Sequence, residues 1–212
     1  MPLISPVIYD DGTRLHLWRV TESCDDLLSM CASRGIDADG CKGYKAVSRR
    51  VEYMVERLLL AEAFGGAVEL LHNADGAPRV DCCKHISISH TPGLIGVAVS
   101  ELAAIGIDIE HRSNRVLRVR SKFLDEEELG RIAADDADAN LVAWTAKEAM
   151  YKLVSQSGLG LRDDLHVHPF AIGTDGKAEY EGRAKYGDSV LEIRLMTHFT
   201  ETEVITCATV KQ

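Results

Sequence analysis

Two short stretches carry residues whose types and spacing could do chemistry. Ile105 to Glu110 reads IGIDIE, and Trp144 to Lys152 reads WTAKEAMYK. In the first, isoleucine alternates with Gly106, Asp108 and Glu110, the pattern of a strand with one face in a core. Ile105, Ile107 and Ile109 would point inward, and the two acids would point the other way. Their α-carbons would lie about 6–7 Å apart, close enough for both carboxylates to reach one cation. The acids also repel each other, so a positive group is expected nearby. In the second stretch Trp144, Glu148 and Lys152 recur every four residues and share one helix face. Each stretch also has an ordinary reading. One is an acidic solvent face, and the other is a surface Glu–Lys pair worth about 0.3–0.5 kcal/mol.

Upstream, ISISHT (Ile86 to Thr91) is a strand that ends in Ser89 and His90, preceded by a turn at DGAPR (Asp75 to Arg79). A Ser–His hydrolase is a poor reading of that pair. No G-x-S-x-G elbow is present, and adjacent strand residues face opposite sides.

These residues need elements to hold them. The segment 14–20 reads as a strand, Thr21 to Ser33 as a helix and 37–43 as a loop. Tyr44 to Ala63 is the clearest helix, with Val47, Val51, Met54, Val55, Leu58 and Leu59 at helical spacing and glycines after it. Strands follow at AVELL, at HISIS and at 94–100. The last is expected to form a hairpin with 103–110 around Glu101 and Leu102. Helices are expected near 113–124, 125–135 and 136–154, then a loop at SQSGLGL. Four alternating segments close the chain: LHVHPFAI, KAEYEG, SVLEIRLM and EVITCATV. Helix plus antiparallel strands thus occurs twice, which predicts an α+β fold of two similar halves.

Composition narrows the function classes. The chain has 212 residues with a net charge of −9, which disfavours nucleic acid as a partner. No apolar run approaches the roughly 18 residues of a membrane span, and the first residues do not read as a secretory signal. The six cysteines, Cys24, Cys31, Cys41, Cys82, Cys83 and Cys207, show no zinc spacing. They are expected to be free thiols in a reducing, cytoplasmic compartment.

In this order the motifs resemble the 4′-phosphopantetheinyl transferases, in the longer, two-halved type that activates surfactin synthetase. The resemblance is carried by Gly76-Ala77-Pro78, Ile88-Ser89-His90, Ile105 to Glu110 and Trp144-Thr145-Ala146-Lys147-Glu148 with Lys152. KFLDEEEL (122–129) and GLGL (158–161) resemble the family's stretches between and after the two main motifs. The likeness runs from about Arg49 to Thr209.

The resemblance implies transfer of phosphopantetheine from coenzyme A to a serine of an apo acyl or peptidyl carrier protein, with release of adenosine 3′,5′-bisphosphate. It implies two pseudo-symmetric halves, 1–105 on the coenzyme 3′-phosphate side and 106–212 with the metal and catalytic motifs. Each half would pack a small antiparallel sheet on a long helix, with the active site in the cleft between them. It assigns Asp108, Glu110 and Glu148 to Mg²⁺, with Mn²⁺ as a substitute. Glu148, Lys152 and Asp108 become the catalytic set, Lys152 meeting the α-phosphate. Arg49, with Arg50 as the neighbouring alternative, Ser89 and His90 go to the coenzyme. The family's turn carries lysine where this chain has Ala77. Arg79 or Lys84 is a candidate to replace that charge, and Lys42 and Lys45 are candidates for the family's basic loop. The two-halved type is expected to be a monomer. A non-catalytic relative that binds carrier protein or nucleotide would be expected to lack a carboxylate or Lys152, and neither is missing.

One more stretch follows the metal motif. HRSNRVLRVRSKF places Arg112, Arg115, Arg118, Arg120 and Lys122 together with no acid. At helical spacing Arg112, Arg115, Arg118 and Lys122 share a face. The carrier proteins of this family's reactions are acidic, so this basic patch is the expected docking surface.

Overall fold

A computed structural model of the chain describes residues 3–82 and 84–211. Cys83, one of the expected free thiols, lies outside the described residues; Cys24, Cys31, Cys41, Cys82 and Cys207 are free. The chain forms two compact units, Met1–Leu102 and Ala103–Gln212. Both are α+β, and every strand pairing among the described residues is antiparallel. No helix among them is long and apolar enough to cross a membrane.

The N-terminal unit contains β1 (Leu3–Ile8), β2 (Arg14–Arg19), α1 (Cys24–Ser33), α2 (Val47–Phe64), β3 (Leu70–His72), β4 (Pro78–Val80), β5 (His85–Thr91) and β6 (Leu94–Ser100). Ser23 and Asp26 close a reciprocal capping box at the start of α1, which is why that helix begins later than Thr21. The segment 39–43 expected as loop is a 3₁₀ turn, and α2 starts only after it. Gly65, at φ +73°, ends α2 in the left-handed conformation that glycine adopts without strain. The sheet order is β1-β2-β6-β5, with β3 and β4 as a separate small hairpin. Trp18, Met54, Leu58, Leu59, Ile95 and Val97 belong to the core under α2.

The C-terminal unit contains β7 (Ile105–His111), α3 (Arg120–Phe123), α4 (Glu126–Arg131), α5 (Ala137–Val154), β8 (Leu165–Val167), β9 (Lys177–Tyr186), β10 (Ser189–Phe199) and β11 (Glu203–Val210). Its sheet order is β7-β11-β10-β9-β8. Val142, Ala146, Met150, Leu165, Ile193 and Leu195 form the core between α5 and this sheet.

Four sequence expectations change here. The hairpin of 94–100 with 103–110 does not form. β6 already has β2 on one edge and β5 on the other, so β7 pairs instead with β11, Asp108 opposite Thr206. The expected 113–124 helix is a 3₁₀ turn over Asn114–Arg118 and then the single turn α3, separated by Val119 at φ −119°, ψ 4°. Helix 125–135 shrinks to α4, and the strand expected over LHVHPFAI shrinks to β8.

Candidate functional site

β7 and α5 bring the two chemical stretches together. The three isoleucines of β7 are buried, as their spacing predicts. The other face is not an open solvent face, because α5 lies across it. Gly106 is where they touch: a Cβ there would stand 1.9 Å from the carbonyl oxygen of Ala149. A glycine is therefore required for main chain to rest on main chain. α5 is held at its start by Asp136, whose side chain accepts from Ala139 N–H, and it ends at Ser155 in the left-handed conformation.

This crossing places Asp108, Glu110, Glu148 and Lys152 around one point. The Lys152 Nζ donates to Asp108 Oδ1 at 2.8 Å and to the Ile107 carbonyl at 3.0 Å. It is the positive group that the paired acids call for. Trp144 Nε1 donates to Glu110 Oε1 at 3.1 Å, and the indole is itself held edge-on by Phe123. The tryptophan of the second motif thus orients an acid of the first. Asp108 is buried, while Glu110, Glu148 and Lys152 are half-buried.

The electrostatics are unbalanced. Burial and then the charge of Asp108 push the Glu148 carboxyl up to about 7, with Lys152 opposing and Glu110 adding to the rise. Burial also raises Glu110, partly offset by the Trp144 N–H. Among the described residues nothing donates a hydrogen bond to the Glu148 carboxyl. A set of oxygen donors with excess negative charge and an uncommitted carboxyl fits a hard divalent cation.

A second cluster in this unit escaped the sequence reading. Among the described residues, one trio of His, Cys, Asp or Glu side chains has ligand atoms within 4.8 Å of one another: Asp125, Glu128 and His166. Asp108, Glu110 and Glu148 are not gathered that closely. The trio, however, is already satisfied. Glu128 Oε2 accepts from Lys147 Nζ at 2.6 Å and from Asp125 N–H at 2.8 Å, and Oε1 accepts from Val167 N–H at 2.8 Å. Asp125 caps α4 and stands 2.7 Å from His166 Nδ1. Lys147 and Glu128 are fully buried, and Lys147 also donates to the Phe123 carbonyl. Burial lowers the Lys147 pKa even against the pull of Glu128. The D-x-x-E capping pattern of Asp125 and Glu128 was the sequence signal for part of this cluster.

The basic stretch is divided by its surroundings. Arg115, Arg118 and Lys122 are exposed. Arg112 is engaged with Asp138 at 2.7 Å. Arg120 turns inward to Asn140 Oδ1 at 2.8 Å and to the Ile132 carbonyl at 2.5 Å. The expected single helical face is absent because the helix is broken at Val119.

In the N-terminal unit, Arg49 of α2 and His90 of β5 meet although 41 residues separate them, with Nη1 and Nε2 3.4 Å apart. Glu52 lies beside both, 2.6 Å from Arg49 and 3.7 Å from His90; the sequence reading missed it. Arg50 is spent on the Tyr44 carbonyl at 2.7 Å. Ser89 is buried, and Lys42 is paired with Asp39. Gly76, at φ +84°, makes the turn between β3 and β4, and Ala77 N–H is held by Asn73 Oδ1 at 2.8 Å.

Residues 104–207 match the family model described as the 4′-phosphopantetheinyl transferase superfamily. No curated protein matches the chain.

Proposed function

Since its C-terminal unit belongs to the 4′-phosphopantetheinyl transferase superfamily, we propose that the protein moves phosphopantetheine from coenzyme A to a serine hydroxyl of an apo acyl or peptidyl carrier protein. The serine oxygen bonds to phosphorus as the pyrophosphate P–O bond breaks, and adenosine 3′,5′-bisphosphate departs. The observation that carries this reading is the convergence of Asp108, Glu110, Glu148 and Lys152 where α5 crosses β7.

Asp108, Glu110 and Glu148 are the residues that would hold Mg²⁺, or Mn²⁺ with the same oxygen donors. The ion would supply charge neutralisation to the pyrophosphate. Lys152 offers its ammonium to the α-phosphate, which competes with Asp108 for it. Trp144 keeps Glu110 turned toward the site. Glu148 accepts the serine proton or positions the group that does. In the N-terminal unit, Arg49 and His90 form the anion-binding pair for the coenzyme 3′-phosphate, with Ser89 beside them. The engagement of Arg50 with Tyr44 favours Arg49 over its neighbour.

An acidic carrier protein would dock on Arg115, Arg118 and Lys122, with Arg112 at the edge and Arg120 bracing the segment from inside. A monomer in the cytoplasm completes the reading; the five described cysteines, all free, suit that compartment. Intact-mass measurement after incubation with coenzyme A, Mg²⁺ and an apo carrier protein tests it. The carrier should gain one phosphopantetheine with the wild type and, over the same time, hardly any with Glu148→Gln. A wild type inert toward fatty-acid, polyketide and peptide carriers alike would sink the proposal.

A further inference from the structure

The N-terminal unit holds a cavity of about 460 Å³, within the roughly 300–1,000 Å³ of small-molecule sites. α2 supplies Tyr53 and Arg57, the chain after α1 supplies Ile36 and Asp37, and the approach to β3 supplies Val68 and Glu69. None of these residues takes part in the transferase chemistry proposed above.

Arg57 is the fixed point of the cavity. Its guanidinium lies over the Tyr53 ring, 3.3 Å from the centroid, and gives one N–H to the Tyr53 carbonyl at 2.9 Å. Stacking holds the plane of the group, and the one bond to Tyr53 leaves most of its five N–H donors for a ligand. Its charge reaches the Glu56 carboxyl, but burial pushes that carboxyl up to about 7, and no carboxylate forms an ion pair with Arg57 among the described residues. A half-buried guanidinium ordinarily has such a partner. The acids are present but elsewhere on the wall. Asp37 Oδ1 accepts from the Asp39 N–H at 2.8 Å, and Glu69 is exposed.

The wall therefore carries one positive and two negative side chains, with Ile36 and Val68 among its apolar lining. A phosphate dianion would meet net repulsion there. A lone amine would leave Arg57 unmet. A ligand with one carboxylate and one ammonium answers both signs at once. We propose that this cavity binds a zwitterionic amino-carboxylate, an amino acid or short peptide with both termini free. Its carboxylate takes the outer edge of Arg57, its ammonium faces Asp37 and Glu69, and its side chains rest on Ile36 and Val68.

A titration of the full chain followed by amide NMR tests this, with leucyl-leucine as the probe. The amides of Gly35, Ile36, Val68 and Glu69 should shift together. The C-terminal amide of the same dipeptide should bind roughly tenfold more weakly or worse, as should the N-acetyl form, since each loses a charged hydrogen bond. Arg57→Gln should lose the dipeptide. Arg49→Ala, which strips the other anion-binding pair of this unit, should keep it. Silence of those four amides at high millimolar dipeptide would overturn the proposal. So would equal binding of the free and capped dipeptides, a comparison that needs no variant to fold.

Discussion

Lys147 and Lys152 leave the same helix five positions apart, and each meets acids. Around Lys147 every group is matched. Both oxygens of Glu128 are filled by the ammonium and by backbone N–H groups, and the pair is sealed from solvent. Around Lys152 the account is open: one ammonium faces Asp108 while Glu110 and Glu148 share its neighbourhood, and Glu148 has no donor of its own. Closeness alone would pick Asp125, Glu128 and His166 as the metal site, since their ligand atoms fall within 4.8 Å. Saturation favours the other cluster, where the metal is proposed to bind. A cation has nothing to gain where lysine and amides already neutralise the carboxylate, and more to gain where three acids share one ammonium and one indole N–H.

Four experiments break or sharpen this contrast. The largest effect is expected from Lys147→Ala, which strands a buried carboxylate and should cost about 3–5 kcal/mol of stability. Urea unfolding measures it. The double variant Lys147→Met with Glu128→Leu should recover much of the loss, since an apolar pair suits the site. A Lys147→Ala chain as stable as wild type would mean that the cluster is not a clamp.

Next come Glu148→Gln and Asp108→Ala. Each should lower transfer about a hundredfold or more while leaving the fold intact. Mg²⁺ should raise the wild-type melting temperature, because a ligand that binds only the folded state stabilises it. The rise should vanish in Asp108→Ala and persist in Asp125→Asn. The reverse pattern would transfer the metal to the second cluster.

Gly106→Ala is expected to cost stability at the upper end of the roughly 1–3 kcal/mol typical of overpacking, because the added carbon meets a carbonyl oxygen and not a movable side chain. Thermal unfolding reads it. The smallest effect belongs to the surface. Reversing Arg115 and Arg118 to Glu should raise the KM for apo carrier several-fold at low salt, through loss of steering. Stability and the KM for coenzyme A should hardly move.

The parts of this picture that were legible in the sequence are local ones. IGIDIE and WTAKEAMYK read correctly as strand and helix because alternation and helical spacing are written within a few residues. The partners of those elements were not legible. β7 pairs with a strand that begins at Glu203, and no local pattern announces an edge left vacant because β6 is already doubly paired. The basic stretch looked like one helix because its charges have helical spacing. Asn140 and the Ile132 carbonyl claim Arg120, and the turn at Val119 breaks the face. The Glu128 cluster draws on residues 19 and 39 positions from Glu128, beyond the reach of any spacing rule. Arg49 and His90 were paired in the reading only through the family resemblance; 41 residues lie between them.

The missing side chain at Gly106 also acts as a mechanical stop. Side chains in a core yield to substitution by changing rotamer, so distances set by them drift. Here helix and strand meet backbone to backbone, and the stop lies two residues from Asp108 and next to Glu148 along α5. The span between those carboxylates is thus gauged by peptide groups. Repacking the unit elsewhere would alter how firmly it folds without resetting that gauge. Only a change in the length of an acid, aspartate for glutamate or the reverse, can retune it.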